Sequence, residues 1–461
     1  MKKQKLNPGK KQPKIKDLKS LPTININAAG IDIGSEQHWV AVPEDRDENP
    51  VRAFGCFTSD LHALAHWLKK CGINTVAMES TGVYWIPLFQ ILETQGFDVK
   101  LVNARHVKNV PGRKTDVKDC QWLQQLHTYG LLSGSFRPDD SICVLRSYWR
   151  HRENLIRYAA AHVQHMQKAL TEMNLQLHKV ISDITGVTGM RIIRAILDGE
   201  RDFIKLAQMK DPRIKHSTDT IAKALEGDYR QEHLFALKQA VELYCFYQQQ
   251  LEACNQQIQA YLMQMDSALN IDSQPIKRKK KPSKNQPCFD LATHLYRISG
   301  VDFTQIDGLN VLSVHTILSE VGLNPEAFGT EKRFTSWLGL CPENRITGEK
   351  IKSVRTRKVV NRAAKAFRIA ANSLKNSQSA LGGYYRRMRA RLGPPKAVTA
   401  TAHKLARIFF RLWKNGGIYQ DIGADYYEQK YKNRVINNIK KRAKKLGFQI
   451  SFQPIENPGV S

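Results

Sequence analysis

AAGIDIG (28–34), NTVAMEST (74–81) and FDVKLVN (97–103) decide the fold of the first third of this chain. Each is a short, largely apolar run bounded by glycine, serine or asparagine, which reads as a buried β-strand. HWVAVPE (38–44) and VRAFGCFT (51–58) read as two more strands between the first and second. SDLHALAHWLKKCG (59–72), YWIPLFQILETQG (84–96) and DVKDCQWLQQLHTYG (116–130) carry apolar residues at helical spacing and stop at glycine. Strands in a run, then strands alternating with helices, predict a mixed α/β sheet.

From about 140 to 184 the pattern becomes one long helix, with Leu155, Ala159, Val163, Met166, Leu170, Met173, Leu177, Val180 and Ile184 at three-to-four spacing. Leu237, Val241, Tyr244, Leu251, Ile258, Leu262 and Met265 form a second such stripe. An antiparallel pair within one chain and an intermolecular coiled coil would each bury these stripes. KRKKKPSKNQP (277–287) reads as a basic linker, and 289–415 as mainly helical. The expected division is therefore a basic disordered tail (1–27), an α/β domain (28–140), a helical coiled-coil region (141–270), a linker (271–290), a helical domain (291–415) and a basic C-terminal tail (416–461). Within that tail, KYKNRVINNIKKRAKKLG (430–447) has the composition of an amphipathic helix.

Charge narrows the partners. With 71 Lys and Arg against 42 Asp and Glu in 461 residues, the formal charge is +29, which calls for a polyanion and most commonly nucleic acid. No stretch of about 18 apolar residues exists to span a bilayer, so no membrane partner is expected. The lysine-rich N-terminus lacks an apolar segment of the kind a secretory signal needs. Eight cysteines, at 56, 71, 120, 143, 245, 254, 288 and 341, show neither C-x-x-C pairs nor zinc spacing. They read as reduced thiols of a cytoplasmic, nucleoid-associated protein.

Four acids stand out by position. Asp32 lies inside the apolar strand GIDIG, where a charge is costly unless neutralised or metal-bound. Glu79 stands at the end of TVAMES, and Asp116 and Asp119 sit three apart at a helix start, on one helical face. Oxygen donors of this kind suit Mg²⁺ or Mn²⁺, and two such ions can clamp the attacking and leaving oxygens of a phosphodiester. Arg105, Lys108, Arg113 and Lys114 would hold the nucleic-acid backbone nearby. Taken singly, Asp116 could be a helix cap and Glu79 the partner of a lysine.

GIDIG…MESTGVYW…LVNARHVKNVPGRKTDVKDCQWLQQLHTYGLL resembles the DEDD-type insertion-sequence transposases, whose N-terminal domain is RuvC-like, that is, RNase H-like. GVDFTQIDGLNVLSVHTILSEVGLNPEAFGTEKRFTSWLGLCPENRITGEK and RTRKVVNRAAKAFRIAANSL resemble the family's second domain, so the likeness spans roughly 28–184 and 294–415. The fold class it implies is α/β plus α: an RNase H-like domain, long coiled-coil helices and a mainly helical C-terminal transposase domain. The function it implies is Mg²⁺-dependent excision and integration of a mobile element by site-specific DNA recombination, with Asp32, Glu79, Asp116 and Asp119 as metal ligands. Some members use a structured bridge RNA that pairs with donor and target DNA. Their second domain supplies a serine that forms a covalent phosphoserine link, and the subunits assemble as dimers or tetramers. Here the serine position is Thr347, in NRITGEK, whose β-methyl restricts approach. Ser353 stands six residues on.

Arg355, Arg357, Lys358, Arg362, Lys365 and Arg368 crowd around one helical segment with Val359, Ala363, Phe367, Ala370 and Leu374 on its other side, a phosphate-binding pattern. YYRRMRARLGPPK (384–396) mixes aromatics with cations as nucleic-acid surfaces do. Residues 300–322 read as a helix-turn-helix piece able to offer backbone N–H groups to phosphates. Two other readings stay open: a metal-dependent endonuclease or Holliday-junction-resolvase-like enzyme that uses water, and a degenerate, non-catalytic DNA-binding copy.

Overall fold

The computed structural model describes residues 21–103, 116–268, 285–348, 350–357 and 359–451. The chain divides into two compact units, Met1–Arg137 and Pro138–Ser461.

The first unit is a five-stranded sheet. β1 (Ala28–Ile33), β2 (Gln37–Ala41), β3 (Val51–Gly55), β4 (Thr75–Glu79) and β5 (Asp98–Val102) lie in the order β3-β2-β1-β4-β5. β1, β2 and β3 pair antiparallel, while β1, β4 and β5 run parallel. α1 (Thr58–Lys70) and α2 (Trp85–Thr94) share one core with alternate strand residues Ala29, Ile31, Ile33, Val76 and Met78. α3 (Asp116–Thr128) covers the opposite face, where Trp122 and Leu123 meet Ala77 and Val102. With β1 and β4 sandwiched between helices, both faces must be apolar, which is why these strands read as continuous hydrophobic runs rather than as alternation. All eight predicted elements are present, with their ends trimmed by up to three residues.

The second unit is built on two long helices, α4 (Asp140–Glu172) and, later in the chain, Gln231–Gln264. They run antiparallel. Tyr261 Oη donates to the Ser141 carbonyl at 2.9 Å near one end, and His233 Nδ1 lies 3.3 Å from Glu172 near the other. The two apolar stripes are thus buried within one chain, through Leu155, Ala159, Met166 and Leu170 on one helix and Leu237, Val241, Leu251, Ile258 and Leu262 on the other.

The expected single helix from 140 to 184 ends early. Asn174 takes a left-handed φ of 56° just past Glu172, and the Gln176 N–H bonds to the Ala224 carbonyl instead of continuing the ladder. α5 (Leu177–Val180), α6 (Val187–Leu197), α7 (Phe203–Gln208) and α8 (Thr218–Leu225) then gather over the end of the pair. Ile192, Ile193, Leu206, Ile221 and Leu225 are completely enclosed there with Met166 and Leu170. The returning long helix is α9.

Beyond it come α10 (Leu291–Ser299), α11 (Val311–Val321), α12 (Glu331–Trp337), a hairpin of β6 (Arg345–Thr347) and β7 (Lys350–Ser353), then α13 (Arg362–Ser373), α14 (Ala380–Leu392), α15 (Pro394–Asn415) and α16 (Ala424–Lys445). Phe409 of α15 stacks on Phe303 at 4.0 Å and meets Phe367 edge-on at 5.5 Å, which centres this part of the core. α11 docks on α4: Trp149 Nε1 donates to Thr316 Oγ1 at 2.9 Å, and Arg150 forks onto Glu320 at 2.7 and 2.9 Å. The expected helix-turn-helix of 300–322 is therefore a core element, with Val311, Val314, Ile317, Leu318 and Val321 buried. Among the described residues no helix is long and apolar enough to cross a membrane.

Candidate active site

Parallel pairing of β1 with β4 sets Gly30 beside Ala77 and Ile31 beside Met78. The next step of that register sets Asp32 beside Glu79, on strands about 4.8 Å apart. Alternation decides which way they point. Ala77, two residues before Glu79, packs against α3, and Thr75 Oγ1 lies 2.8 Å from His127 Nε2 on that helix. Gly30, two residues before Asp32, is in near backbone contact with α3. Both carboxylates therefore project from the face that α3 covers.

α3 runs opposite to β1. The Thr128 carbonyl accepts from the N–H groups of Ile24 and Asn25, Gln124 Nε2 reaches the Ala28 carbonyl at 3.4 Å, and Cys120 and Gln124 flank Gly30. Following the helix back toward its start brings its first turn to the level of Asp32 and Glu79. Asp116 opens that turn and Asp119 lies one turn in, half-buried. The Cys120 thiol reports the same convergence. It is pushed up to about 12, chiefly by burial, and the negative charges of Asp32 and Asp119 both add to the shift.

Glu79 is 8% exposed. Among the described residues no group of three or more His, Cys, Asp or Glu is close enough to hold a metal ion. The Asp116 side chain, and Arg105, Lys108, Arg113 and Lys114 altogether, lie outside the described residues, so the expected basic run beside the acids does too.

The second set of predicted residues lies in the C-terminal unit. Thr347 ends β6, opposite Lys350, and Gly348 takes a φ of 53° in the turn that follows. Thr347 is exposed on this hairpin. Arg355 is exposed as well, and its carbonyl accepts from the Glu343 N–H at 2.9 Å, which closes the base of the hairpin. The Arg357 guanidinium donates to the Ser336 carbonyl, and Arg362 is ion-paired with Glu153 of α4. Arg362 thus spends its charge partly inside the protein. Lys358 lies outside the described residues. Ser353 is half-buried, and its hydroxyl accepts from the Arg355 N–H at 3.3 Å. Ala363, Phe367 and Ala370 face the core while Lys365 is exposed, as the periodicity predicted.

Sequence reading missed two features. Gly30 is required by the approach of α3, and the only trace of this is a glycine inside an otherwise bulky strand. Arg387 and Lys404 pack against tyrosines 20 to 44 residues away in sequence, and only the basic-aromatic composition of 384–396 hinted at that.

A family model described as a transposase, of the DEDD type of the IS110 group, matches residues 29–175, from β1 through the end of α4. A second, described as transposase of the IS116/IS110/IS902 family, matches residues 302–386, a span that includes the hairpin and α13. The chain matches no curated protein. With the candidate acids inside the first match and Thr347 inside the second, the chain belongs to the IS110 family of DEDD transposases.

Proposed function

We propose that this transposase is a divalent-metal-dependent DNA recombinase that excises and integrates an insertion sequence. The observation that supports it best is the parallel register of β1 with β4, which sets Ile31 beside Met78, one residue before Asp32 and Glu79. Asp32, Glu79, Asp116 and Asp119 would hold the cation. A bound Mg²⁺ or Mn²⁺ supplies Lewis-acid polarisation of the phosphodiester and stabilises its attacking and leaving oxygens. The donor set suits such an ion in kind, since it is made of hard carboxylate oxygens.

The hydroxyl assigned to the covalent step is that of Thr347. Its oxygen attacks phosphorus, gives up its proton and displaces a deoxyribose hydroxyl, leaving the DNA joined through a phosphothreonine ester. Its exposure on the hairpin, opposite Lys350, supports access to a phosphate. Arg355 and Arg357, with Lys358 and Arg362, are assigned to the DNA backbone, as are Arg105, Lys108, Arg113 and Lys114 in the first unit. A structured guide RNA and a dimeric or tetrameric assembly follow from the family resemblance. The threonine in place of serine favours one second reading, in which water is the nucleophile and the enzyme is a metal-dependent endonuclease.

The deciding experiment incubates wild type and Asp32→Asn with element-end DNA and Mg²⁺ or Mn²⁺, and looks for strand joining and for a covalent protein–DNA adduct on denaturing gels. Wild type should give both and Asp32→Asn neither. Joined product from Asp32→Asn, or from wild type in EDTA, would overturn the metal-site reading. Clean cleavage without an adduct would favour water as nucleophile.

A further inference from the structure

Of the 22 residues of α16 only Ala424 and Ala443 are buried, so apolar packing holds little of it in place. Stacked cations hold its first two turns. The Arg387 guanidinium carbon of α14 lies 3.7 Å from the Tyr431 ring centroid and 4.4 Å from that of Tyr427. The Lys404 ammonium of α15 sits 4.4 Å over Tyr384 and 4.8 Å over Tyr427. Gly383 leaves room for this, since a β-carbon there would come to 3.3 Å from Tyr427 Cδ1. A cation held over a ring face is attracted by the ring's negative face, more strongly where water is excluded.

These contacts place like charges together. α14 carries Arg386, Arg387, Arg389 and Arg391 with no acid. α16 carries eight Lys and Arg against Asp425 and Glu428. Burial holds the Lys404 ammonium below its ordinary value, and Arg387, Arg407, Arg434 and Lys430 push it further the same way. A cavity of about 570 Å³ opens beside this cluster, where Asp425 and Glu428 line it together with Arg386, Arg387 and Lys432. The cations on the rest of α16 have no such acids on their own helix, since Asp425 and Glu428 both lie in its first two turns.

The shape of the charge identifies the anion. Lys430, Arg434, Lys441 and Lys445 of α16 recur at spacings of four, seven and four residues, which keeps them on one face. That face is about 22 Å long at 1.5 Å per residue. A single phosphate or nucleotide would use only one end of it, whereas a polynucleotide backbone would use all of it.

We propose that α14 and α16 form a second DNA-backbone site, in which Lys430, Arg434, Lys441 and Lys445 neutralise phosphates along one strand of a duplex while Arg387, stacked on Tyr427 and Tyr431, fixes the start of α16. The proposal takes DNA as ligand from the transposase family but needs neither the carboxylates nor the hydroxyl. The test uses the full chain and a 30-base-pair duplex of arbitrary sequence. Lys430, Arg434 and Lys441 are exposed, so the triple variant K430A/R434A/K441A should fold, with an unchanged melting temperature. Because each neutralised phosphate contributes about 0.9 to the slope of log affinity against log salt, the slope should fall by roughly 2–3, and affinity near 100 mM salt by about 10- to 100-fold. Tyr431→Phe should keep wild-type affinity, and Tyr431→Leu should lose several-fold. An unchanged slope in the folded triple variant overturns the proposal, as does a loss confined to single-stranded RNA. Asp32→Asn should abolish joining and leave the slope intact, so failure of this site and failure of the metal site give different results.

Discussion

A β-carbon on Gly30 would lie 2.2 Å from the backbone nitrogen of Gln124 and 2.4 Å from the Cys120 carbonyl oxygen. α3 therefore crosses β1 in near backbone contact, and that closeness sets how near its acidic first turn can come to the end of β1. Neither partner atom belongs to a flexible side chain that could move aside. Gly30→Ala should push the helix off the sheet, destabilise the first unit by about 1–3 kcal/mol or more, and reduce metal-dependent activity even where the fold survives. Thermal melts and a DNA-cleavage assay check this. A variant with wild-type melting and activity would show that the close approach is not needed.

Two buried histidines predict acid lability. His127 is held at about 4 by burial and then by the Lys100 charge, and His315 at about 3 by burial and then by Arg152. In the unfolded chain both should titrate near 6.5. Since the folded values are the lower ones, their contribution to stability is complete above about pH 6.5 and is lost as pH falls toward 4 and 3. The slope should approach 1.4 kcal/mol per pH unit for each group within that window. Among the described residues neither ring nitrogen of His315 has a hydrogen-bond partner, and its ring lies 3.9 Å from that of Trp149. His315→Leu should therefore flatten the decline of the urea midpoint between pH 6.5 and 4 in the second unit. An unaltered pH profile would rule His315 out as a source.

Arg152 is 3% exposed and lies over the Trp149 ring at 5.0 Å. Its Nε donates to Asn255 Oδ1 and its Nη2 to the Asn285 carbonyl, both at 2.6 Å. Asn255→Leu leaves a buried charge short of an acceptor and should cost about 3–5 kcal/mol. The double variant Arg152→Met/Asn255→Leu should recover most of that, because it buries no charge. Equilibrium denaturation of both checks the point, and equal losses would show that the hydrogen bond is not what matters.

Thr347 lends itself to a conservative series. If its hydroxyl carries the DNA, Thr347→Ser should keep or raise adduct yield by removing the β-methyl, while Thr347→Ala should abolish it without altering DNA affinity. Adduct that persists in Thr347→Ala would move the role elsewhere, with Ser353 next to be replaced.

The N-terminal sheet was legible because β1, β4 and β5 are short apolar runs separated by helices with clear stops, and burial on both faces of β1 and β4 leaves little ambiguity about strand character. The second unit was less so. Its two stripes are equally consistent with partners in the same chain or in another, and contacts such as Tyr261 with Ser141 and Arg152 with Asn255 identify the partner as internal. The break at Asn174 was invisible because Met173, Leu177 and Val180 continue the helical spacing while serving α5 and its neighbours instead. The engagement of Arg362 with Glu153, 209 residues away, carries no local signal at all.

Local pattern alone thus determined the strands and helices of the first unit, and that Asp32 stands in a strand where a carboxylate is costly, because burial and periodicity act residue by residue. Tertiary structure decided that β1 pairs parallel with β4, that α3 crosses β1 at Gly30, and that the start of α16 is held by arginine–tyrosine stacking. Those outcomes depend on strand register and on backbone approach between distant segments, which no window of sequence contains.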